Sequence, residues 1–231
     1  MYEESLVSDG IGGRVSKETT GVSALDSAEA LLSDVESLMQ NHPAQKDPSR
    51  GRPPGAGYGP LLRACVALCY TAWEVYVEEA LNETVASLCN DRDPGALPDA
   101  LRTWASQNIA DGWLFAGDSW RVEIPRAVES LTLGDGDTEF GLNTASPKQV
   151  SILYRDVLGV DPLAAVRWQR RSNKSVRDEV HQLVKVRGEI VHKGATPGSL
   201  NLAGVRAWVD FVRRLCNKFD QQLAEFMTEE T

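Results

Sequence analysis

The sequence predicts an all-α protein, a helical bundle with long antiparallel helices. Apolar side chains recur every three to four residues over several long stretches, which is the period of an amphipathic helix. No stretch alternates apolar and polar residues in the manner of a half-exposed strand, and no internal repeat is visible. Hydrophobic residues make up 42 % of the 231 residues, which is enough for a substantial core.

The first part of the chain divides into four segments. Residues 1–21 are polar and aperiodic, so we expect a disordered N-terminal segment, followed by a single all-α domain over residues 22–231. A first helix is predicted over residues 23–39, and the stretch 42–60, rich in Pro and Gly, is predicted to be a loop. The longest helix is predicted over residues 60–89, and about 30 residues correspond to roughly 45 Å, the span of a whole bundle.

The middle of the chain is less periodic. Helices are predicted over residues 99–109 and 146–158, the second with Ser146 as its N-cap. The Gly-Asp-Gly-Asp stretch at 134–137 is predicted to be a loop, and it lacks the carboxylate spacing of a calcium site. We expect four aromatic side chains to form a packing cluster: Trp104, Trp113, Phe115 and Trp120.

Two long helices end the chain. Ser172 or Asn173 is the predicted N-cap of a helix that runs to His192, where Gly194 can end it. The final helix is predicted over residues 200–226.

Composition excludes several classes of protein. The four cysteines lie in apolar helical patterns without paired CxxC spacing, so we interpret them as reduced core residues and expect no disulfide, metal or cofactor. The acidic start has no apolar signal region, and no apolar run reaches the roughly 18 residues of a membrane span. We therefore expect a cytoplasmic protein without membrane contact.

The charge distribution is uneven. The net charge of -9 argues against a general nucleic-acid-binding surface. Residues 167–193, however, contain eight basic and three acidic residues, which is a local net charge of +5. This stretch is either a solvated helix face or a stripe that contacts phosphates.

An arginine and a histidine lie near the end of the penultimate helix, with four residues between Arg187 and His192. An imidazole can transfer protons near neutral pH, and a guanidinium can hold a phosphate that gains charge as it reacts. Arg187 occupies an apolar helical stripe, where an unpaired guanidinium is costly. The alternative interpretation is a structural ion pair with Glu74 or Glu78 on the long helix.

A second stripe of this helix is polar and cationic and has no side chain at Gly188: His181, Lys185, Gly188 and His192. It has the character of a groove with room for a ligand. Arg187 and His192 lie about 140° apart around a straight helix, too far to share one face. They converge only if the helix ends near His192 or if a second copy of the helix supplies half of the site.

In these features the sequence resembles the HEPN superfamily, and most closely the RiboL-PSP-HEPN type. The motif Arg, four to six residues, His is the one that the superfamily carries at the junction of its two C-terminal helices. Two further stretches carry the likeness, so that it covers roughly residues 60–227: Ala72-Trp73-Glu74-Val75-Tyr76 on the long helix, and Asn143-Thr144-Ala145-Ser146-Pro147 with the helix after it.

The resemblance implies a HEPN-like helical bundle, a homodimer with a composite cleft, and endoribonuclease activity in a toxin or phage-defence setting. The sequence departs from the family at Gly188, where an Asn, Asp or His usually follows the arginine. Gly194 stands where another HEPN branch has a tyrosine that a nucleotidyltransferase modifies, so that form of regulation is not expected.

The resulting hypothesis is a metal-independent endoribonuclease that leaves 2',3'-cyclic phosphate and 5'-hydroxyl ends. Arg187 and His192 would be catalytic, and Glu74 and Glu189 are candidate supporting residues. RNA and an antitoxin or sensor protein are the expected partners. The alternative is a non-catalytic HEPN-like module that binds RNA, a nucleotide or a partner protein, or a purely structural helical scaffold. Five residues are candidates for RNA contact: Lys185, His181, Lys193, Arg171 and Lys174.

Overall fold

The computed structural model describes residues 22–42, 58–109, 112, 117–133, 142, 144–194 and 200–229. These residues form eight α-helices and a short 3-10 helix, and they contain no strand, only one isolated bridge between Trp168 and Arg171. The all-α prediction is confirmed. The segment 1–21 and most of the predicted loop at 42–60 lie outside the described residues, and the domain boundaries stay a prediction.

The helices in chain order are α1 (Ala24–Gln40), α2 (Gly59–Asp91), α3 (Asp99–Asn108), α4 (Trp120–Leu133), α5 (Pro147–Leu158), α6 (Pro162–Ala165), α7 (Asn173–Lys193) and α8 (Leu202–Glu229). The 3-10 helix Pro94–Ala96 lies between α2 and α3.

Helix α2 is the centre of the fold. It packs against α1, α4, α7 and α8, and its buried side chains lie on nearly all of its faces. A helix that is apolar all round must be enclosed by other elements, because water would otherwise reach part of its apolar surface. The described helices thereby share one hydrophobic core. Within it, α2 packs directly against α7, the helix that carries Arg187 and His192.

The predicted aromatic cluster falls partly outside the described residues. Trp104 and Trp120 are buried but make no ring contact with each other among the described residues, while Trp113 and Phe115 lie outside them. Phe219 of α8 is the centre of the observed cluster. Its ring centroid lies 5.7 Å from that of Trp73, 5.9 Å from Tyr76 and 5.0 Å from Tyr154. This cluster joins α2, α5 and α8.

Two helices of the middle region were not predicted, namely α4 and α6. Pro125 lies inside α4 and interrupts the pattern from which a helix is recognised. The helix is fixed instead by a distant contact, because Arg121 donates hydrogen bonds to carbonyl oxygens at the end of α2, including Arg92 at 2.9 Å. Long-range anchoring of this kind leaves no local signal in the sequence.

Helix α7 is positioned by the segment before it. Ser172 accepts a hydrogen bond from the N–H of Ser175, so the predicted cap is confirmed. The Asn173 amide donates to the carbonyl oxygens of Leu163 at 2.7 Å and Val166 at 2.9 Å, which ties the start of α7 to α6. Arg177 lies 3.7 Å from the buried carboxylate of Asp161. These contacts fix the direction in which α7 crosses α2.

All four cysteines are buried in the core, as their apolar helical patterns predict, and none of them forms a disulfide in the structure. Among the described residues, no helix combines the length and the apolar character required to cross a membrane.

Candidate functional site

Arg187 is half-buried in the stripe that faces α2. Val180, Leu183 and Ile190 of the same stripe are buried. The guanidinium carbon of Arg187 lies 5.0 Å from the centroid of the Tyr70 ring, which is the distance of a cation–π contact. The ring of an α2 residue therefore holds this arginine.

Tyr70 is itself fixed by hydrogen bonds. Its hydroxyl donates to Oε1 of Glu74 at 2.6 Å and accepts from the N–H of Ala145 at 3.1 Å. The carbonyl oxygen of Ala145 accepts from Nε1 of Trp73 at 2.8 Å. Burial, and then the hydrogen bond to Glu74, raises the pKa of Tyr70 above its ordinary value. The phenol therefore stays protonated and keeps its ring under Arg187.

The structural ion pair of the alternative interpretation is not formed within the protomer. Among the described residues, neither Glu74 nor Glu78 has an oxygen within 4.0 Å of the Arg187 guanidinium, although six other arginines have a carboxylate within that distance. Glu74 reaches Arg187 only through Tyr70. The charge of the guanidinium is consequently free to bind an anion.

Glu78 lies one turn beyond Glu74 on α2. Burial, followed by repulsion from Glu74 and Glu79, raises the pKa of Glu78 from 4.5 to about 7. The folded state therefore binds its proton more tightly than the unfolded chain does, and the free energy of unfolding falls as pH rises from about 4.5 to about 7.

Glu78→Gln is expected to remove this fall. The variant should unfold with a free energy roughly 1 to 2 kcal/mol higher than wild type at pH 8 and similar to wild type at pH 4, a figure reduced because solvent reaches the side chain. Urea titrations at both pH values measure the difference. Glu225→Gln, at an exposed position of α8, is the control. Equal effects of the two substitutions would contradict the burial of the Glu78 charge.

His192 is exposed in the last turn of α7. The helix continues to Lys193 and is closed by Gly194, which has a φ of 61° and donates its N–H to the carbonyl oxygen of Ile190 at 3.1 Å. His192 therefore lies within the regular α-helix, and its position relative to Arg187 follows from helical geometry. It lies about 140° around the axis and about 7.5 Å along it from Arg187, so the two side chains of one protomer diverge.

The surface of α7 between Arg187 and His192 is apolar, and its side chains are small. Gly188 lies there, and a Cβ atom added to it would have no neighbouring atom within 4 Å. Val191 is 53 % exposed beside it, and Val184 is half-buried. This sector has space for a ligand or for the close approach of another helix.

Comparison with known protein families identifies the chain. The RiboL-PSP-HEPN family matches residues 25–225, which is most of its length. The chain belongs to this family. HEPN domains commonly act on RNA and dimerise, so membership indicates a nuclease or RNA-related module. Neither the curated proteins nor the solved structures contain a match.

The other candidate residues of this HEPN protein differ in exposure and in distance from Arg187. His181 and Lys185 are exposed and lie within about 20° of His192 around α7, while Lys193 is exposed about 100° further round. Glu189 is half-buried. Lys174 shares the His192 face but lies roughly 20 Å from Arg187 along the axis.

Arg171 does not join the site around Arg187. It pairs with Glu179, and its guanidinium carbon lies 5.5 Å from the centroid of the Phe211 ring. This contact places Arg171 against α8, at the opposite end of α7 from His192.

Tyr70 is the residue of the candidate site around Arg187 that the sequence did not predict. Its position one turn before Glu74 was the available signal, because side chains four residues apart lie on the same face of a helix. The apolar pattern of α2, however, indicates only that Tyr70 is buried. Its contact with Arg187 depends on how α7 crosses α2.

Proposed function

We propose that this HEPN protein is a metal-independent endoribonuclease, acting as a toxin or phage-defence effector that an antitoxin or sensor protein controls. The main support is Arg187. It is half-buried against Tyr70, without a carboxylate partner among the described residues, and borders an open surface. A cation held without a counter-ion is suited to an anion that binds only during the reaction.

In the proposed reaction, the RNA 2'-hydroxyl attacks the adjacent phosphorus and the bond to the 5'-oxygen breaks. His192 accepts the proton of the 2'-hydroxyl, and a second imidazole or the same one returns a proton to the leaving 5'-oxygen. Arg187 stabilises the charge of the phosphorane. The products are a 2',3'-cyclic phosphate and a 5'-hydroxyl, and no water is consumed in this step.

The proposed site requires two protomers, because Arg187 and His192 diverge within one. A twofold axis near Gly188 would bring the Arg187 of one protomer towards the His192 of the other. Val184, Gly188 and Val191 support this arrangement, since a small residue between apolar neighbours permits two helices to approach closely.

The wild-type chain is expected to be a dimer by light scattering at micromolar concentration, and Val191→Asp is expected to be a monomer. A carboxylate at the centre of an apolar interface loses its hydration without gaining a partner. Val122→Asp is the matched control, because Val122 is 65 % exposed on α4 and not on α7, the helix that carries the proposed axis. A monomeric wild-type protein would exclude the composite site.

Cleavage of RNA is expected to survive excess EDTA, because an imidazole and a guanidinium supply the proton transfer and charge stabilisation that a metal ion would otherwise supply. The described residues contain no group of three or more His, Cys, Asp or Glu placed to hold a metal ion. The assay compares initial rates with EDTA and with added Mg²⁺. Activity that EDTA removes and Mg²⁺ restores would contradict the mechanism.

The second candidate function is a non-catalytic module that binds RNA, a nucleotide or a partner protein. Gly188 favours it, because no polar side chain stands beside Arg187 where relatives usually carry one. Binding of RNA without cleavage by the purified dimer would establish this alternative. Cleavage that depends on His192 would exclude it.

A further inference from the structure

A groove with a volume of about 670 Å³ lies between α8 and the segment that precedes α7. Its lining combines two aromatic residues, three arginines and one carboxylate with Ala207 and Asn217. The aromatic and charged residues are Trp168, Arg171, Asp210, Phe211, Arg213 and Arg214. It lies near the start of α7, and Lys174 in that turn is roughly 20 Å along the axis from Arg187, so it is separate from the proposed cleavage site.

We infer that this groove binds a single-stranded segment of RNA outside the cleavage site. The choice of RNA rests on the proposed function, whereas the groove itself rests on its own geometry. Proteins that bind single strands combine aromatic rings, on which bases stack, with a basic groove that follows the phosphates. This groove has both features on an otherwise acidic chain.

Trp168 is the stacking surface. Its ring is half-buried, and the centroid of the Phe211 ring lies 5.9 Å away at an interplanar angle of 51°. Phe211 is buried and contacts Trp208 at 5.9 Å. Trp168 is therefore held in place on one side while part of its surface stays accessible, which is the arrangement that base stacking requires.

Arg214 is the arginine of the groove that has no carboxylate partner among the described residues. Arg171 and Arg213 are engaged in ion pairs, with Glu179 and with Glu29 and Glu36. Arg214 is exposed, has no carboxylate within 4.0 Å among the described residues, and lies 6.0 Å from the centroid of the Trp168 ring. A base stacked on Trp168 at about 3.5 Å would displace this guanidinium, which could then bind the adjacent phosphate.

The turn that carries Trp168 provides a second observation. Trp168 and Arg171 exchange backbone hydrogen bonds at 3.2 and 2.9 Å, and Arg170 between them has a φ of 65°. Glycine adopts this left-handed conformation at no steric cost, and arginine does not. Arg170 is exposed and stands between the lining residues Trp168 and Arg171, and its strained backbone supports a functional use of its charge beside the groove.

The test measures the binding of a fluorescent single-stranded RNA of about 12 nucleotides to full-length protein that carries His192→Ala, which prevents cleavage. In this background Arg214→Glu and Trp168→Ala are each expected to raise Kd by about tenfold or more. Asp210→Asn should lower Kd a few-fold, because it removes the carboxylate of the groove. Arg206→Glu, an exposed arginine of α8 outside the lining, is the control and should change Kd by less than about twofold.

Arg170→Gly separates binding from folding. It should weaken RNA binding while the melting temperature stays constant or rises, because glycine relieves the backbone strain. Equal losses for Arg214→Glu and Arg206→Glu would overturn the inference, since they would indicate a general charge effect. Binding of an acidic peptide instead of RNA in the groove would also overturn it. Specific binding without any cleavage by the unsubstituted chain would support the groove and contradict only the proposed nuclease function.

Discussion

His192→Ala is expected to abolish RNA cleavage while the fold stays intact. General acid–base catalysis typically contributes a factor of about 10² to 10⁴, and His192 is the imidazole that the proposed reaction uses. His192 is exposed in the last turn of α7, so its removal should change the free energy of unfolding by less than about 0.5 kcal/mol. Initial cleavage rates and urea titrations measure the two quantities.

His181→Ala is the contrast to His192→Ala. His181 lies on the same face of α7 about three turns earlier, and it is also exposed. If His181 only contacts RNA, His181→Ala should lower the cleavage rate by less than about tenfold. Retention of more than about a tenth of the wild-type rate by His192→Ala would reject the catalytic role, because acid–base catalysis would then contribute less than its usual range.

Arg187→Lys is expected to lower the cleavage rate by about an order of magnitude or more. Lysine keeps the positive charge but loses the planar group that can bind two phosphate oxygens at once, and it also loses the stacking on Tyr70. The free energy of unfolding should change by about 1 kcal/mol or less, because no described carboxylate pairs with Arg187 and lysine keeps the positive charge.

Arg206→Lys is the matched control for Arg187→Lys, because it makes the same change at an exposed position of α8. It should leave both the rate and the stability unchanged. A large loss of stability in Arg187→Lys, with an unchanged rate for each folded molecule, would instead assign Arg187 a structural role.

Local signals were sufficient to predict several helices of the fold. Ser23, Ser146 and Ser172 each accept a hydrogen bond from the first turn of the helix that they begin, and these contacts depend only on nearby sequence. The stripe of α7 was predicted for the same reason, and with it the half-buried position of Arg187. Helical period alone decides which side chains of one helix share a face.

Contacts between helices were predicted less well. An ion pair with Glu74 or Glu78 was the alternative for Arg187, and the structure places Tyr70 beneath the guanidinium instead. All three residues lie on one broad face of α2, so the choice depends on the angle and height at which α7 crosses it. That geometry is set by the contacts of Asn173 with α6, which the sequence does not indicate.

The composite site can be tested by mixing two inactive variants, Arg187→Ala and His192→Ala, each with a different affinity tag. A heterodimer purified on both tags would contain one intact pair, the Arg187 of one protomer facing the His192 of the other. Such heterodimers are expected to recover about half of the wild-type rate, since one of two equivalent pairs is restored. Heterodimers that form but stay inactive would contradict a site shared between protomers.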